Sequence, residues 1–484
     1  MVALDSNLDG IKIMKLLLVE DNKTYASILS EQIGQLPSRP TIFVAESRDS
    51  AIRQLETEFF DVVILDLEIP TQDGAFDIEA EHGEHVFYSA RKLAPGTPVY
   101  VLTGTEGTDF LRRLVREGQR IDLWGDGNPI QTVDYYHKEN GSELFKIVKK
   151  ISESIAITES VRINFGAQAI DLPVEQRRVL KVFTRANGGT SCKVKRLGGL
   201  SDAIVLKITV MDSYGDIRCE CVGKLGLAKH VRKEISAYDS EVKHLQLGAF
   251  AHVLSFHDQG LRGFSGIFYA MAEEYKTTFF DLVIKDPAIA LEVLARIKEA
   301  LKRWSAASKH SKITVGELRR RLVSDEAFTN IVEQHDLQYL IALEDRSVEI
   351  ATSCVHGDLH GGNVLINNEG VPVFIDFGDV GMGFTCLDPL TLELSLFFHP
   401  DAISSGAADL LSPTIAHWPQ LDLYIKDNKL GPVIAFCRTW AYDTGPHDES
   451  VIAMAYVFVL RQLKYKTVDS KTTIEIMKKI LGRF

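Results

Sequence analysis

Short apolar runs alternate with amphipathic stretches through the first third of the chain. "MKLLLVE", "TIFVAE", "DVVILDL", "PVYVLTG" and "TVDYYHK" have the apolar continuity of buried strands. Between them, "KTYASILSEQIGQL", "RDSAIRQLETEFF", the segment around "EHVFYSARKLA" and "TDFLRRLVREG" carry helical periodicity, and "GSELFKIVKKISESIA" follows the last strand. Continuous apolar strands alternating with helices predict a parallel sheet covered on both faces. That unit closes near residue 158. Residues 159–175 show no strong period and are expected to form a connector. The pattern then changes: "SCKVKRL", "AIVLKITVM" and "IRCECVGKL" follow one another with turn residues between them, which predicts an antiparallel sheet. A long helix, "LAKHVRKEISAYDSEVKHL", and a strand, "GIFYAMAE", come next, and the remainder is mostly helical.

The 484 residues suit two or three domains, and 45% apolar with 25% charged residues is the profile of a globular protein with sizeable cores. A formal net charge of −12 argues against generic nucleic-acid binding. The six cysteines form no finger spacing or disulfide framework, no signal peptide is evident, and no apolar run approaches the ~20 residues of a membrane span. A cytoplasmic protein is therefore expected.

In open parallel sheets, ligands gather at the carboxyl ends of the strands. Those ends here carry Glu20 and Asp21, Asp66, Thr103 and Lys138. Three converging carboxylates call for a hard divalent cation such as Mg²⁺, and a lysine with a hydroxyl beside them suits a phosphoryl group. The stretch "LLLVEDN…DVVILDLEIPTQDG…VYVLTG…DYYHK" resembles the receiver domain of two-component response regulators, over residues 14–158. The resemblance implies a flavodoxin-like fold with Asp66 as phosphoacceptor. It also implies Mg²⁺ on Glu20, Asp21, Asp66 and the Glu68 carbonyl, Thr103 and Lys138 against the phosphoryl group, and Tyr135 at the aromatic switch position. A histidine kinase would be the phosphodonor. Two departures stand out: no proline follows the lysine in "HKEN", and an acidic insertion, "AFDIEAEHGEH", follows the phosphoacceptor loop.

"HGDLHGGN" sets Asp358 five residues before Asn363, and "IDFG" brings Asp376 after one strand turn. Phosphoryl transfer from ATP needs a base near the attacking hydroxyl and oxygen donors for metal, and this spacing can present all three to one cluster. "HGDLHGGNVLI…VFIDFGD" resembles the catalytic core of the aminoglycoside phosphotransferase and choline kinase branch of the protein-kinase-like fold. The weaker match extends over 176–484, with a small lobe about 176–275 and a large lobe about 276–484. By that resemblance Asp358 is the base, Asn363 and Asp376 hold Mg²⁺, His356 supports the loop, and Asp388 braces it. In the small lobe, Gly198, Gly199 and Ser201 of "RLGGLSDAI" would cover the nucleotide. Lys224 would meet its phosphates and pair with Glu234, Lys207 being the rival lysine. The backbone from Glu273 to Tyr275 would be the adenine hinge.

The expected architecture is thus multidomain, α/β followed by α+β: a receiver joined to a bilobal kinase-like domain. The expected function is a response regulator whose output is an ATP- and Mg²⁺-dependent phosphotransferase acting on a hydroxyl of an unidentified acceptor, with homodimerisation open. The alternative is a signalling adaptor whose kinase-like domain binds ATP without transfer and engages a partner protein.

Overall fold

The computed structural model describes residues 14–104, 109–166, 170–197, 203–270 and 277–484. Two compact units divide it: Met1–Arg232 with Val253–Ala270, and Lys233–His252 with Met271–Phe484.

The first unit opens with β1 (Lys15–Val19), α1 (Lys23–Gly34), β2 (Thr41–Ala45), α2 (Arg48–Thr57), β3 (Val62–Leu65), α3 (Ala80–Leu93), β4 (Val99–Thr103), α4 (Asp109–Glu117), β5 (Val133–His137) and α5 (Gly141–Glu159). All strand pairs are parallel, in the order β2-β1-β3-β4-β5, the flavodoxin-like order. Alternation along the strands serves two cores. Leu17, Val19, Val63, Leu65, Val99 and Val101 face one, and Leu16, Leu18, Val62, Ile64, Tyr100 and Leu102 the other. Burial on both faces is why these strands read as unbroken apolar runs.

A second sheet follows, built from β6 (Arg162–Asn164), β7 (Ser191–Arg196), β8 (Ile204–Met211), β9 (Ile217–Leu227), β10 (Val253–His257) and β11 (Phe264–Ala270) in the order β10-β11-β9-β8-β7-β6. Its strands pair antiparallel except β6, which runs parallel to β7. The 159–175 segment is therefore built into the fold: Glu159 ends α5, and β6 is an edge strand. A helix the sequence pattern did not announce, α6 (Val174–Ala186), packs Val179, Leu180 and Phe183 on this sheet, with Phe183 and Phe268 stacked at 3.8 Å.

The same helix ties this sheet to the first one. Arg178, 4% exposed, donates to Asp61 Oδ1 at 2.5 Å and Glu159 Oε1 at 2.7 Å, and Lys181 donates to Glu159 Oε2 at 2.7 Å. Arg185 donates to the Ser154 carbonyl and the Thr158 hydroxyl at 2.9 and 2.8 Å. Gly260 N donates to the Pro95 carbonyl at 2.8 Å, and at Gly96 (φ 80°) a Cβ would run into Gln259, so the close approach requires glycine. Asp61 and Asp66 flank β3 at opposite ends. The strand thus carries the acidic cluster at one end and the anchor to α6 at the other.

In the second unit, β12 (Ser347–Val355) pairs antiparallel with Lys309–Thr314 and Gly381–Phe384. The hairpin β13 (Val364–Ile366) and β14 (Pro372–Phe374) stands beside it, with α7 (Leu387–Phe398), α8 (Gly431–Thr444) and α9 (Asp448–Gln462) among the helices. Arg438 of α8 and Glu393 of α7 form a fully buried ion pair, Nε to Oε2 at 2.9 Å. No helix among the described residues is long and apolar enough to cross a membrane.

Candidate phosphoryl-transfer sites

In the first unit, Glu20, Asp21 and Asp66 bring carboxylate oxygens within 4.8 Å of one another. Lys138 Nζ lies between two of them, 2.7 Å from Asp66 Oδ2 and 2.9 Å from Glu20 Oε2, and 5.1 Å from the centre of the Tyr25 ring. Burial pushes the Asp66 carboxyl up to about 6, and the Glu20 charge adds to this, while the Lys138 hydrogen bond and charge pull it back. Glu68 N donates to Asp66 Oδ1 at 3.4 Å. Thr103 is buried at the end of β4, and Tyr135 on β5 is 41% exposed. Without a proline after it, Lys138 starts a 3₁₀ turn, Lys138–Asn140, in which Glu139 N donates to His137 Nδ1 at 3.3 Å.

The acidic insertion supports the Asp66 loop. Ile69 and Glu79 form a bridge, His82 Nδ1 lies 2.9 Å from the Ile69 carbonyl, and Gly83 N donates to the Leu67 carbonyl at 3.2 Å. A side chain at Gly83 would collide with the Leu67 backbone, so this glycine lets α3 close on the loop. Three oxygen-donor carboxylates at this separation fit a Mg²⁺ ion.

In the second unit, β12 runs directly into the sequence "HGDLHGGN". Asp388, 4% exposed in the first turn of α7, accepts from His356 N at 2.8 Å and Gly357 N at 3.0 Å. His356 is fully buried and its Nε2 lies 3.1 Å from the Ile375 carbonyl. Asn363 Nδ2 donates to the Asp358 carbonyl at 2.9 Å, and Ile375 N donates to the Asn363 carbonyl at 3.1 Å. These bonds cross-tie the Asp358 loop to the segment carrying Asp376, which adopts a left-handed backbone with φ 62°. Gly357 is also left-handed (φ 82°), and a side chain there would strike the Asp379 carbonyl. The oxygen donors Asn363 and Asp376 on adjoining segments suit a hard cation.

Three side chains that the sequence reading did not assign complete this centre. Asp358 Oδ1 lies 3.7 Å from Arg461 Nη1, and Oδ2 lies 3.8 Å from His360 Nε2. Burial raises the Asp358 carboxyl, and the Arg461 charge opposes it. The His360 and His399 rings stack at 4.2 Å, and burial holds each imidazole down at about 4, so both are neutral near pH 7. His360 was visible within the motif; nothing in the local sequence marked His399 or Arg461.

Lys224 is half-buried on β9, in register with Val205 and Ile267, and its rival Lys207 on β8 lies 3.9 Å from Glu220. Both alternate with the core residues that pack on α6, so both project from the opposite sheet face. Glu234 is buried on the helix Ala228–Ser240. Gly198, Gly199 and Ser201, and the hinge residues Glu273 and Tyr275, lie outside the described residues.

Residues 268–422 match the model of the phosphotransferase enzyme family. No curated protein matches the sequence. Among solved structures, the receiver domain of a Francisella response regulator is similar at 21% identity, covering 29% of this chain and 97% of that one, with a TM-score of 0.22. The receiver domain of a Pseudomonas aeruginosa sensor histidine kinase, with a magnesium ion coordinated in its active-site cleft, is similar at 18% identity, 29% and 98% coverage and a TM-score of 0.22. A thermostable aminoglycoside phosphotransferase, in ternary complex with ADP and hygromycin B, is similar at 13% identity, 60% and 92% coverage and a TM-score of 0.34.

Proposed function

We propose that this protein is a two-component response regulator whose output is an ATP-dependent phosphotransferase acting on a hydroxyl. The observation that carries the reading is the cross-tied loop. Asp388 fixes the His356–Gly357 backbone, and Asn363 bonds the backbone of Asp358 and of the segment leading to Asp376. A domain that only bound nucleotide would have no use for a carboxylate on a braced loop in the position of a base.

In the transfer, the acceptor oxygen bonds to the γ-phosphorus while the bond from that phosphorus to the β–γ bridging oxygen breaks. ADP leaves with that electron pair, and the hydroxyl proton passes to the Asp358 carboxylate. Lys224 would meet the nucleotide phosphates, with Glu234 as its helix-borne partner and Lys207 as the rival lysine. Mg²⁺, when bound, would be held by Asn363 and Asp376 and would neutralise phosphate charge.

In the receiver, the Asp66 carboxylate attacks the phosphorus of a phosphohistidine on a histidine kinase, or of a small phosphodonor, and forms an acyl phosphate while the bond from that phosphorus to the donor's nitrogen or oxygen breaks and the donor leaves with that electron pair. Glu20, Asp21, Asp66 and the Glu68 carbonyl would hold Mg²⁺ there, with Lys138 and Thr103 placed for the phosphoryl oxygens. Asp66 and the anchor residue Asp61 flank one strand, and this supports coupling between the receiver and the sheet bearing Lys224. A coupling of ~1–3 kcal/mol, about 5- to 150-fold in nucleotide affinity, is the ordinary range. It is measured as ATP affinity with and without beryllofluoride, and equal affinities would leave two domains that merely share a chain.

The test of the catalytic reading is Asp358→Asn. Turnover should fall by roughly 10²–10⁴-fold, the usual contribution of a positioned base, while ATP still binds. ATP consumption unchanged by this substitution would favour a non-transferring adaptor.

A further inference from the structure

Asp358 has two sets of neighbours. Its main-chain carbonyl accepts from Asn363, next to the Asp376 segment, while its carboxylate oxygens lie near Arg461 and His360. His360 is neutral, so Arg461 supplies the positive charge of this pair of neighbours. At 3.7 Å, Arg461 is close enough to feel the carboxylate but is not hydrogen-bonded to it. Among the described residues, no carboxylate accepts a hydrogen bond from its guanidinium. Asp379 also acts on Arg461 electrostatically, but it is paired with Lys233 at 2.9 Å.

Arg461 sits in the last turn of α9 with its side chain 24% exposed, Tyr465 against it, and Lys464 and Lys466 exposed in the turn that follows. A planar guanidinium with open donors fits a carboxylate or phosphate in a two-point grip. The geometry also sets a distance. The accepting hydroxyl must come within about 2.6–3.2 Å of Asp358, and an anion on Arg461 would sit about 2.8 Å from it. With the two side chains 3.7 Å apart, hydroxyl and anion fall within a few bonds of each other, on one small molecule.

We propose that Arg461 is the specificity-determining residue of the transferase, and that the phosphoryl acceptor is a small hydroxyl compound bearing a carboxylate or phosphate a few bonds from the hydroxyl. The inference rests on the transferase reading above and adds the acceptor class to it. A polycation such as an aminoglycoside would set its ammonium groups against Arg461, Lys464 and Lys466, and is disfavoured.

The experiment uses the full chain, radiolabelled ATP and four probes: glycerol, glycerate, glycerol 3-phosphate and hygromycin B. The first three share a carbon skeleton and separate carboxylate from phosphate recognition. The expected result is at least a ~10-fold higher kcat/KM for one of the anionic probes than for glycerol, the discrimination of a single good charge contact. Arg461→Gln should bring that ratio close to one, mainly through the acceptor's KM, with the KM for ATP unchanged. Arg461→Lys should retain part of the preference, which separates lost charge from lost folding. Equal use of glycerol, preference for hygromycin B, or labelling of none of the four would overturn the proposal. So would an Arg461→Gln variant that raises the KM for ATP while keeping the preference, since Arg461 would then serve the transferring phosphoryl group. The transferase reading fails separately, through an Asp358→Asn variant that still consumes ATP at the original rate.

Discussion

Asp66 is a buried carboxylate and Asp358 a partly exposed one, each with a cation nearby, and desolvation raises the proton affinity of each. They differ in how the cation is held. Lys138 is hydrogen-bonded to Asp66 at 2.7 Å and bridges to Glu20, whereas Arg461 stands off from Asp358 at 3.7 Å with no hydrogen bond. The carboxylate proposed as acceptor is locked to a lysine whose bond can pass to an incoming phosphoryl oxygen. The carboxylate proposed as base keeps both oxygens free for a hydroxyl. One side-chain type thus serves two chemistries, distinguished by whether its neighbour bonds it or only biases it.

The support behind each carboxylate differs as well. Asp358 is steadied by its own loop and Asp388, all within one unit. Asp66 stands at the end of a strand whose other end is anchored 117 positions away in sequence, by Asp61 on Arg178.

The strongest way to break this comparison is at Asp66 itself. A small phosphodonor with Mg²⁺ should label the wild type as a base-labile acyl phosphate, and Asp66→Asn should abolish the label. Labelling that persists would mean another carboxylate is the acceptor, and the contrast with Asp358 would lose its basis.

Next in size is the anchor. Arg178→Ala leaves Asp61 buried without its cation, while Glu159 keeps Lys181, and breaking a buried pair from one side costs about 3–5 kcal/mol. The urea midpoint should fall accordingly, with the two sheets of the first unit unfolding in one transition. An unchanged midpoint would show that the anchor is dispensable.

The smallest effect sharpens the contrast from the Asp358 side. His399, which faces His360, Asp401 and Asp358, has its imidazole held at about 4 by burial, below the usual 6.5. The unfolded chain therefore binds more protons here between those values, and His399 costs stability as pH falls from about 6.5 toward 4. Asn at this position keeps the helix cap that His399 now provides to Asp401 N. The stability of His399→Asn relative to wild type should rise on acidification, by on the order of 1 kcal/mol at pH 4.5 after screening is discounted, and stay constant above pH 7. A difference independent of pH would mean that His399 is not held neutral.

Much of both centres was legible in the sequence because it is local. Strand ends announce themselves where an apolar run stops, so Glu20, Asp21, Asp66, Thr103 and Lys138 could be placed at one sheet edge from periodicity alone. Asp358, Asn363 and Asp376 flank one short hairpin, β13 and β14, and their spacing fixes their proximity. The helix α6 was hidden for a physical reason: its buried face includes Glu175, Gln176 and Arg178, so the apolar period that marks a helix is interrupted. Arg178 is satisfied by Asp61 and Glu159, partners that only folding supplies. Periodicity and motif spacing by themselves determined the parallel sheet, its acidic edge and the Asp358 loop. Tertiary structure alone decided that Arg178 meets Asp61, that His399 stacks on His360, and that Arg461 stands beside Asp358. A charge carries no record in the sequence of which distant charge it will face; that depends on how the packed elements bring the chain together.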